Sequence, residues 1–491
     1  MGAIVVCGAG MVGLSAALML ARDGHEVTVL EADATGAPPP REAWSSWERR
    51  GVAQFRQPHS LFARVRAVCD AELPDLPGRM LDAGCVTVDP LTAMPPTMTD
   101  RTPRAGDVAL RAVTGRRPVV EAVLAAAAEA GGVRVRRGER VTGLLTGRRS
   151  RFGLPDGAPA SCPHVVGVRT ARGEEIRADL LVDATGRRAP GARWLFALGA
   201  PLTETRAVDR GFVYYTRFYT GPELPPRIGP PLAPLGSVSL LTIPGDDHTW
   251  SVTVFGLAED RALQAVREHT VFERVVAACP WQAPWLAGEP ITGILPMGGG
   301  LDRRTRLVRA GRPVVTGLVA IGDAWCATNP SAGRGISIGF VHAQQLRHVV
   351  RAHLGDPGAL AEAFDQRTEG VVAPLVEVQT RADRVRVAEM RAEIAGAPVP
   401  PSDDAVMRLA AAAASDADAL RGVLEIVHCL ALPEEVLARP EVRAAVDTVG
   451  PVLPRRVPGP DRAELLGLLA EHPGLAQVPA PRSPQRVEVA S

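Results

Sequence analysis

Residues 3–31 read AIVVCGAGMVGLSAALMLARDGHEVTVLE, and this stretch decides the fold class. Residues 3–6 are a short β-branched run of the kind that forms a buried parallel strand. Residues 8–13 spell GxGxxG, residues 14–23 read as a helix stopped by Gly24, and residues 26–30 read as a second strand closed by Glu31. Together they predict a βαβ unit. Within it Gly8 permits the tight turn, Gly10 lets a pyrophosphate approach the backbone, and Gly13 lets the helix pack on the strand. The helix N-terminus offers free N–H groups and a partial positive charge. Glu31 follows Gly13 by 18 residues, where a carboxylate accepts both ribose hydroxyls of an adenosine and would repel a 2′-phosphate.

The chain then departs from a plain NAD dehydrogenase, which would place further parallel strands in the next hundred or so residues. It runs instead through a Pro-rich loop at 34–42, a helix at 61–73, a turn-rich stretch at 74–104 and a helix at 118–130. Short strands follow at 133–135, 141–145, 165–170 and 175–178, then an apolar strand at 180–184. Residues 212–219, 238–243 and 249–255 alternate like antiparallel strands, while the proline-dense 221–235 reads as a loop or lid. A buried strand at 314–321 precedes Gly322-Asp323, and a helix is expected at 335–351. Helical patterns fill 359–395 and 402–470, and the tail beyond 473 reads as disordered.

Composition removes whole enzyme classes. At 491 residues the chain exceeds one compact core. A net charge of +1 gives no footing for nucleic acid or an anionic membrane. The chain contains no lysine; all 55 basic residues are arginine. A Walker A motif, a Schiff-base lysine and the usual kinase lysine are therefore excluded. The seven cysteines are scattered without a CxxC, and the ten histidines show no metal-ligand spacing. No apolar run approaches membrane-spanning length. A soluble, cytoplasmic protein without a metal site or an integral membrane segment is the expectation.

Two later motifs extend the first: Asp183-Ala184-Thr185-Gly186 after the 180–184 strand, and Gly322-Asp323 followed by Asn329-Pro330-Ser331-Ala332-Gly333-Arg334-Gly335. With the N-terminal unit, these make the chain resemble the FAD-dependent monooxygenase superfamily, whose members share the fold of para-hydroxybenzoate hydroxylase. Residues 47–59, 114–121 and 322–339 resemble more narrowly a group of actinobacterial FAD-dependent oxidoreductases. The resemblance implies an α/β architecture: a Rossmann-like three-layer FAD-binding fold with an inserted antiparallel-sheet substrate domain and a helical C-terminal region. The expected boundaries are 1–75, 105–190 and 291–355 for the FAD-binding domain, and 76–104 and 191–290 for the substrate domain. The C-terminal helical region is expected at 356–475, with a flexible tail at 476–491.

The candidate cofactor-binding residues are Gly8, Gly10, Gly13, Glu31, Arg117, Asp183, Gly186, Asp323, Pro330, Gly333 and Gly335. Arg117 matches the arginine that contacts FAD in this superfamily, with Arg116 the alternative one position away. Asp323 offers a short carboxylate to the ribityl chain, and the helix beginning near Gly335 would point its N-terminus at the flavin pyrimidine edge. The Asp-Ala-Thr-Gly motif departs from the Gly-Ala-Asp-Gly motif of aromatic hydroxylases, a motif linked to both FAD and NADPH contacts.

The activity implied by the resemblance is hydroxylation or epoxidation of an apolar or aromatic small molecule in secondary metabolism, through a flavin C4a-hydroperoxide. O2 would be co-substrate and NAD(P)H the ultimate electron donor, directly or through a separate flavin reductase. Flavin-dependent halogenases share the architecture but require a lysine, which this chain lacks. Two alternatives stay open: a flavin-dependent reductase of an isoprenoid-type double bond, and a non-catalytic FAD-binding protein. No catalytic residue is assigned. The candidates are His59 by position, and Tyr215 and Arg217, which share one face of an expected strand with Tyr219.

Overall fold

In a computed structural model the chain is described over residues 1–147, 162–200, 203–206, 211–300, 302–453 and 456–470. It opens with β1 (Ala3–Cys7), α1 (Met11–Arg22) and β2 (Glu26–Glu31). Then come α2 (Arg117–Ala130), β3 (Arg134–Arg137) and β4 (Leu180–Asp183). The antiparallel strands β5 (Phe212–Thr220), β6 (Val238–Pro244) and β7 (Thr249–Leu257) precede α3 (His269–Ala277). β8 (Leu318–Ala320), α4 (Gly335–His353), α5 (Ala373–Ala395) and α6 (Ala417–Val427) follow. The tail expected at 476–491 lies outside the described residues.

Five strands form a wholly parallel sheet in the order β8-β4-β1-β2-β3. Strand alternation divides its side chains between two cores. Ile4, Val6, Val27 and Val182 pack against Leu14, Leu18, Val123, Leu124 and Leu346 of α1, α2 and α4. Val5, Cys7, Leu30 and Leu181 face the other way, onto Val165, Val168 and Trp194. Val165 and Val168 belong to a three-stranded antiparallel meander (Val141–Thr146, Val165–Thr170, Glu175–Arg177). Helices, parallel sheet and meander are the three layers.

The GxGxxG helix is locked to α4 through one side chain. A Cβ on Gly322 would lie 3.2 Å from Val12 Cγ1, and one on Gly339 would lie 2.4 Å from Val12 Cγ2. Only glycine lets α4 approach this closely, so the two ends of the expected cofactor cleft share a common wall.

The second sheet is antiparallel and covered on both faces. Tyr215, Tyr219, Leu240, Val252 and Val254 pack beneath Val271, Phe272 and Val275 of α3. On the other face Phe212, Tyr214 and Phe255 pack on Val387 and Met390 of α5. Two expectations are corrected here. Within 221–235, Leu232–Leu235 is a strand, paired antiparallel with β6 at the sheet's edge, the one place where Pro234 can be tolerated. The strand expected over 314–321 is only Leu318–Ala320. Gly317 breaks it at φ 74°, where a Cβ would sit 2.1 Å from Val165 O.

Arg347 of α4 is the main ionic tie of the first core. It donates to both Asp23 oxygens, at 2.7 and 3.0 Å, and also pairs with Glu72. Burial would raise the Asp23 carboxyl, but hydrogen bonds from Arg347 and Arg351 outweigh it and hold the group well below the usual carboxylate range. Removing one partner of such a buried network typically costs about 3 kcal/mol. Arg347→Ala should therefore lower stability at pH 7 by about that amount. A depressed carboxyl contributes stability above its unfolded pKa, about 3.9, that is lost as pH falls below it. The variant's chemical-denaturation midpoint should accordingly depend less on pH over that acid range than the parent's.

Candidate functional site

The cleft is built where three strand ends meet: β1, β4 and β8. Gly8 takes φ 109°, and a Cβ there would meet Ala184 O at 2.5 Å. A Cβ on Gly13 would meet Gly8 O at 2.1 Å. These two glycines are structural requirements. Gly10 is different: its φ is −83°, which any residue adopts, and its Cβ position meets nothing within 4 Å. The middle glycine therefore borders open space at the N-terminus of α1. No side chain caps that helix, so its first N–H groups face the cleft.

Glu31 ends β2 and points back at the turn. It accepts from the Ala9 N–H at 2.8 Å and the Asp33 N–H at 2.9 Å, and it pairs with Arg49. Arg49 also pairs with Glu121 and donates to Ala9 O at 3.0 Å. Glu121 in turn accepts from Arg117 Nε at 3.1 Å, and Arg117 Nη1 donates to His59 Nε2 at 3.1 Å. The Arg49 and Glu121 side chains are 2% and 0% exposed. A continuous buried chain, Glu31–Arg49–Glu121–Arg117–His59, thus runs beneath the cleft, its two carboxylates balancing its two guanidiniums. Burial, reinforced by Arg49, lowers Arg117 to about 10.

His59 lies at the end of that chain. Its Nδ1 bonds Gln57 O at 2.8 Å, so Nδ1 carries the proton and Nε2 accepts from Arg117. Burial and then the Arg117 charge push it down to about 3. Both ring nitrogens are engaged, and His59 serves as a neutral acceptor that orients Arg117.

Asp183 is spent on its own turn. Its Oδ1 accepts from the Thr185 N–H at 3.0 Å and hydroxyl at 2.6 Å, and its Oδ2 would lie 2.5 Å from a Cβ on Gly191. Through Oδ1 it shapes the Asp-Ala-Thr-Gly turn, with Gly186 at φ 71°. Asp323 contrasts with it. The closest ionic partner of its carboxylate is Arg187 Nη1, 4.0 Å away, and 27% of the side chain stays accessible. Burial raises its carboxyl, moderated by Arg187, Arg117 and Arg303. Across the cleft, Asn329–Ala332 leads through Gly333, at φ 68°, to Gly335 at the uncapped start of α4. Gly335 lies against Asp323, whose Oδ1 would be 4.0 Å from its Cβ.

The sheet closes over this loop by the face that carries Tyr214, whose hydroxyl donates to Asn329 Oδ1. Phe218 on the same face packs against Trp44 with ring centroids 4.8 Å apart and the rings tilted by 53°, and Thr216 bonds Thr253 at 2.8 Å. Tyr215 and Arg217 are on the opposite face: Arg217 pairs with Glu273 of α3 at 2.6 Å and bonds Thr292 O at 3.2 Å. Alternation put these two residues together correctly, but beneath α3 and away from the cleft. The missed residues are Arg49 and Glu121. The Arg117–Glu121 spacing of i,i+4 on α2 was the available signal for the second.

Among the described residues no cluster of His, Cys, Asp and Glu could hold a metal ion, and no helix is long and apolar enough to cross a membrane.

The glycine turn, the acidic strand end and the Gly-Asp turn are the parts from which dinucleotide-binding α/β folds are built. Residues 3–38 match the family model described as FAD dependent oxidoreductase. No curated protein matches the chain by sequence. Among solved structures the chain is similar to a flavoprotein/dehydrogenase from Cytophaga hutchinsonii, at 14% identity over 91% of this chain and 97% of that one, with a TM-score of 0.61. It is also similar to the anhydrotetracycline hydroxylase OxyS from Streptomyces rimosus, at 17% identity over 88% and 76%, TM-score 0.56. A third is the flavin-dependent brominase Bmp2, at 15% identity over 91% and 97%, TM-score 0.54. The fold is that of FAD-dependent oxidoreductases, as the sequence resemblance implied.

Proposed function

We propose that the protein is an FAD-dependent monooxygenase acting on an apolar or aromatic small molecule. The observation that carries this reading is the pairing of an open Gly10 cradle with the accessible, weakly paired Asp323 carboxylate, whose neighbour Gly322 packs on Val12 of the same helix α1. The residues fit the cofactor by their chemistry. The α1 N-terminus and Gly10 would hold the pyrophosphate, Glu31 the adenosine ribose, and Asp323 the ribityl hydroxyls. The α4 N-terminus would face the flavin ring. Bound there, FAD would supply the reduced ring that activates O2 for transfer to the substrate.

The protein's own contribution is orientation and exclusion of water. The buried Glu31–Arg49–Glu121–Arg117 chain fixes the floor, and the sheet face bearing Tyr214, Thr216 and Phe218 covers the 330–335 loop. The substrate would lie between that face and the loop. Hydroxylation or epoxidation is favoured over halogenation, because no lysine is present to hold a halogenating species.

A separate reductase is the favoured electron source. The Asp-Ala-Thr-Gly turn is internally bonded. Several arginines of the 101–140 stretch that could have formed a nicotinamide groove are tied up: Arg104 with Asp418, Arg111 with Asp89, Arg116 with Asp246, and Arg136 with Glu174. O2 uptake driven by NAD(P)H, measured with and without an added flavin reductase, tests the reading. Substrate-stimulated uptake that needs the reductase is expected. Flavin bleaching by NADPH alone, in anaerobic stopped flow, would make reduction direct. No substrate-stimulated O2 uptake under any condition would reject monooxygenation.

A further inference from the structure

Arg334 stands between Gly333 and Gly335, at the N-cap of α4. It is only 8% exposed, and its Nε is buried without a hydrogen-bond partner. Among the described residues no carboxylate or carbonyl accepts from its guanidinium. A buried charge left unpaired is costly, and proteins ordinarily pair it. The nearest candidate, Asp383 of α5, is already spent: one oxygen takes the Ser331 hydroxyl and the other the Gln379 amide at 3.0 Å.

Other groups converge on the same point. A Cβ on Gly333 would touch Ser60 at 3.8 Å and Phe62 at 4.0 Å, and the Phe62 ring lies 5.2 Å from that of His428. The Ala63 N–H donates to His428 Nδ1 at 3.1 Å, so a neutral His428 must carry its proton on Nε2. Burial, and then the charges of Arg334 and Arg227, keep His428 neutral by lowering it to about 4. Arg64, the remaining cation, is occupied by the carbonyls of Cys429 and Leu430, at 2.6 and 2.9 Å. The backbone just after His428 is strained: Cys429 holds a left-handed φ of 59°. Such strain persists where the surroundings over-determine a position, which is common at binding sites.

Resting on the flavin reading of this cleft, we infer that Arg334 and the Nε2–H of His428 form a subsite for a planar anionic oxygen group of the organic substrate, a carboxylate or enolate, beside the 330–335 loop. Guanidinium forks match such a group in two-point geometry, and the uncapped α4 N-terminus favours negative charge at the same place. The Phe62 ring supplies an apolar wall for the attached skeleton. The C-terminal region, through His428 between α6 and Pro433–Leu437, would thereby complete the substrate site.

Calorimetric titration of the full-length protein, with and without FAD, tests this with sodium benzoate, its neutral isostere benzamide, and inorganic phosphate. Benzoate is expected to bind at least about tenfold more tightly than benzamide or phosphate. Arg334→Gln and Arg334→Met should each weaken benzoate about tenfold or more, whereas Arg312→Gln on the exposed surface should not. Removing an unpaired buried charge should leave the melting temperature of Arg334→Gln equal or higher. FAD affinity should be unchanged in both variants. Equal binding of benzoate and benzamide, tighter binding of phosphate, or parent-like benzoate affinity in both variants would overturn the subsite. A parallel loss of FAD affinity would reassign Arg334 to the flavin. If the protein takes up no FAD, the flavin reading fails, while the benzoate titration on the flavin-free chain still decides the subsite.

Discussion

Gly10→Val is expected to abolish FAD uptake while leaving the fold intact. Gly10 already has an extended-region backbone, so valine adopts it without strain, and the new side chain enters open space. That space is where the pyrophosphate must approach the N-terminus of α1. The expected result is a melting temperature close to the parent's, with a stability change within about 1 kcal/mol. FAD affinity should fall at least about a hundredfold, or roughly 2.8 kcal/mol. Gly13→Ala supplies the contrast: its Cβ would lie 2.1 Å from Gly8 O, so it should fail by unfolding. A folded Gly10→Val protein that keeps parent FAD affinity would remove the cofactor from this cleft.

Asp323→Ala is expected to weaken FAD about tenfold to a hundredfold, the range for losing charge-assisted bonds worth about 1.5–3 kcal/mol. Its effect on the flavin-free protein has the opposite sign. Burial raises the Asp323 carboxyl, so the folded chain favours its protonated form. The carboxylate therefore costs stability as pH rises through its titration, and Asp323→Asn should remove that cost at pH 7. The expected signature is weaker FAD binding with equal or higher thermal stability. Unchanged FAD affinity would show that Asp323 does not touch the cofactor.

The N-terminal unit was legible because its information is local. Two strand runs, three glycines and an acidic strand end occupy 29 consecutive residues, 3–31. Asp323 was legible for the same reason, as part of a strand–turn–helix. The charge chain under the cleft was not, because Arg49 meets Glu31 and Glu121 only when three separate segments fold together.

The inserted sheet shows a second limit. Alternation sorted Tyr214, Thr216 and Phe218 from Tyr215, Arg217 and Tyr219, but it could not say which set faces the cleft. Both faces of this sheet are covered, one by α3 and the other by α5, so every residue of β7 is buried and the usual apolar-polar contrast disappears. Asp183 shows a third limit. A carboxylate at a strand end reads alike whether it faces a ligand or caps its own turn, and only the Thr185 bonds decide. The C-terminal helices carry no motif, and His428 acquires meaning only beside Phe62 and Arg334.

FAD binding in this cleft is the property on which the other expected effects depend. Its most direct test is titration of the purified, flavin-free protein with FAD, followed by quenching of flavin fluorescence. One equivalent is expected to bind per chain with a dissociation constant of about 1 µM or tighter, corresponding to about −8 kcal/mol. The absence of saturable binding by folded protein would contradict it.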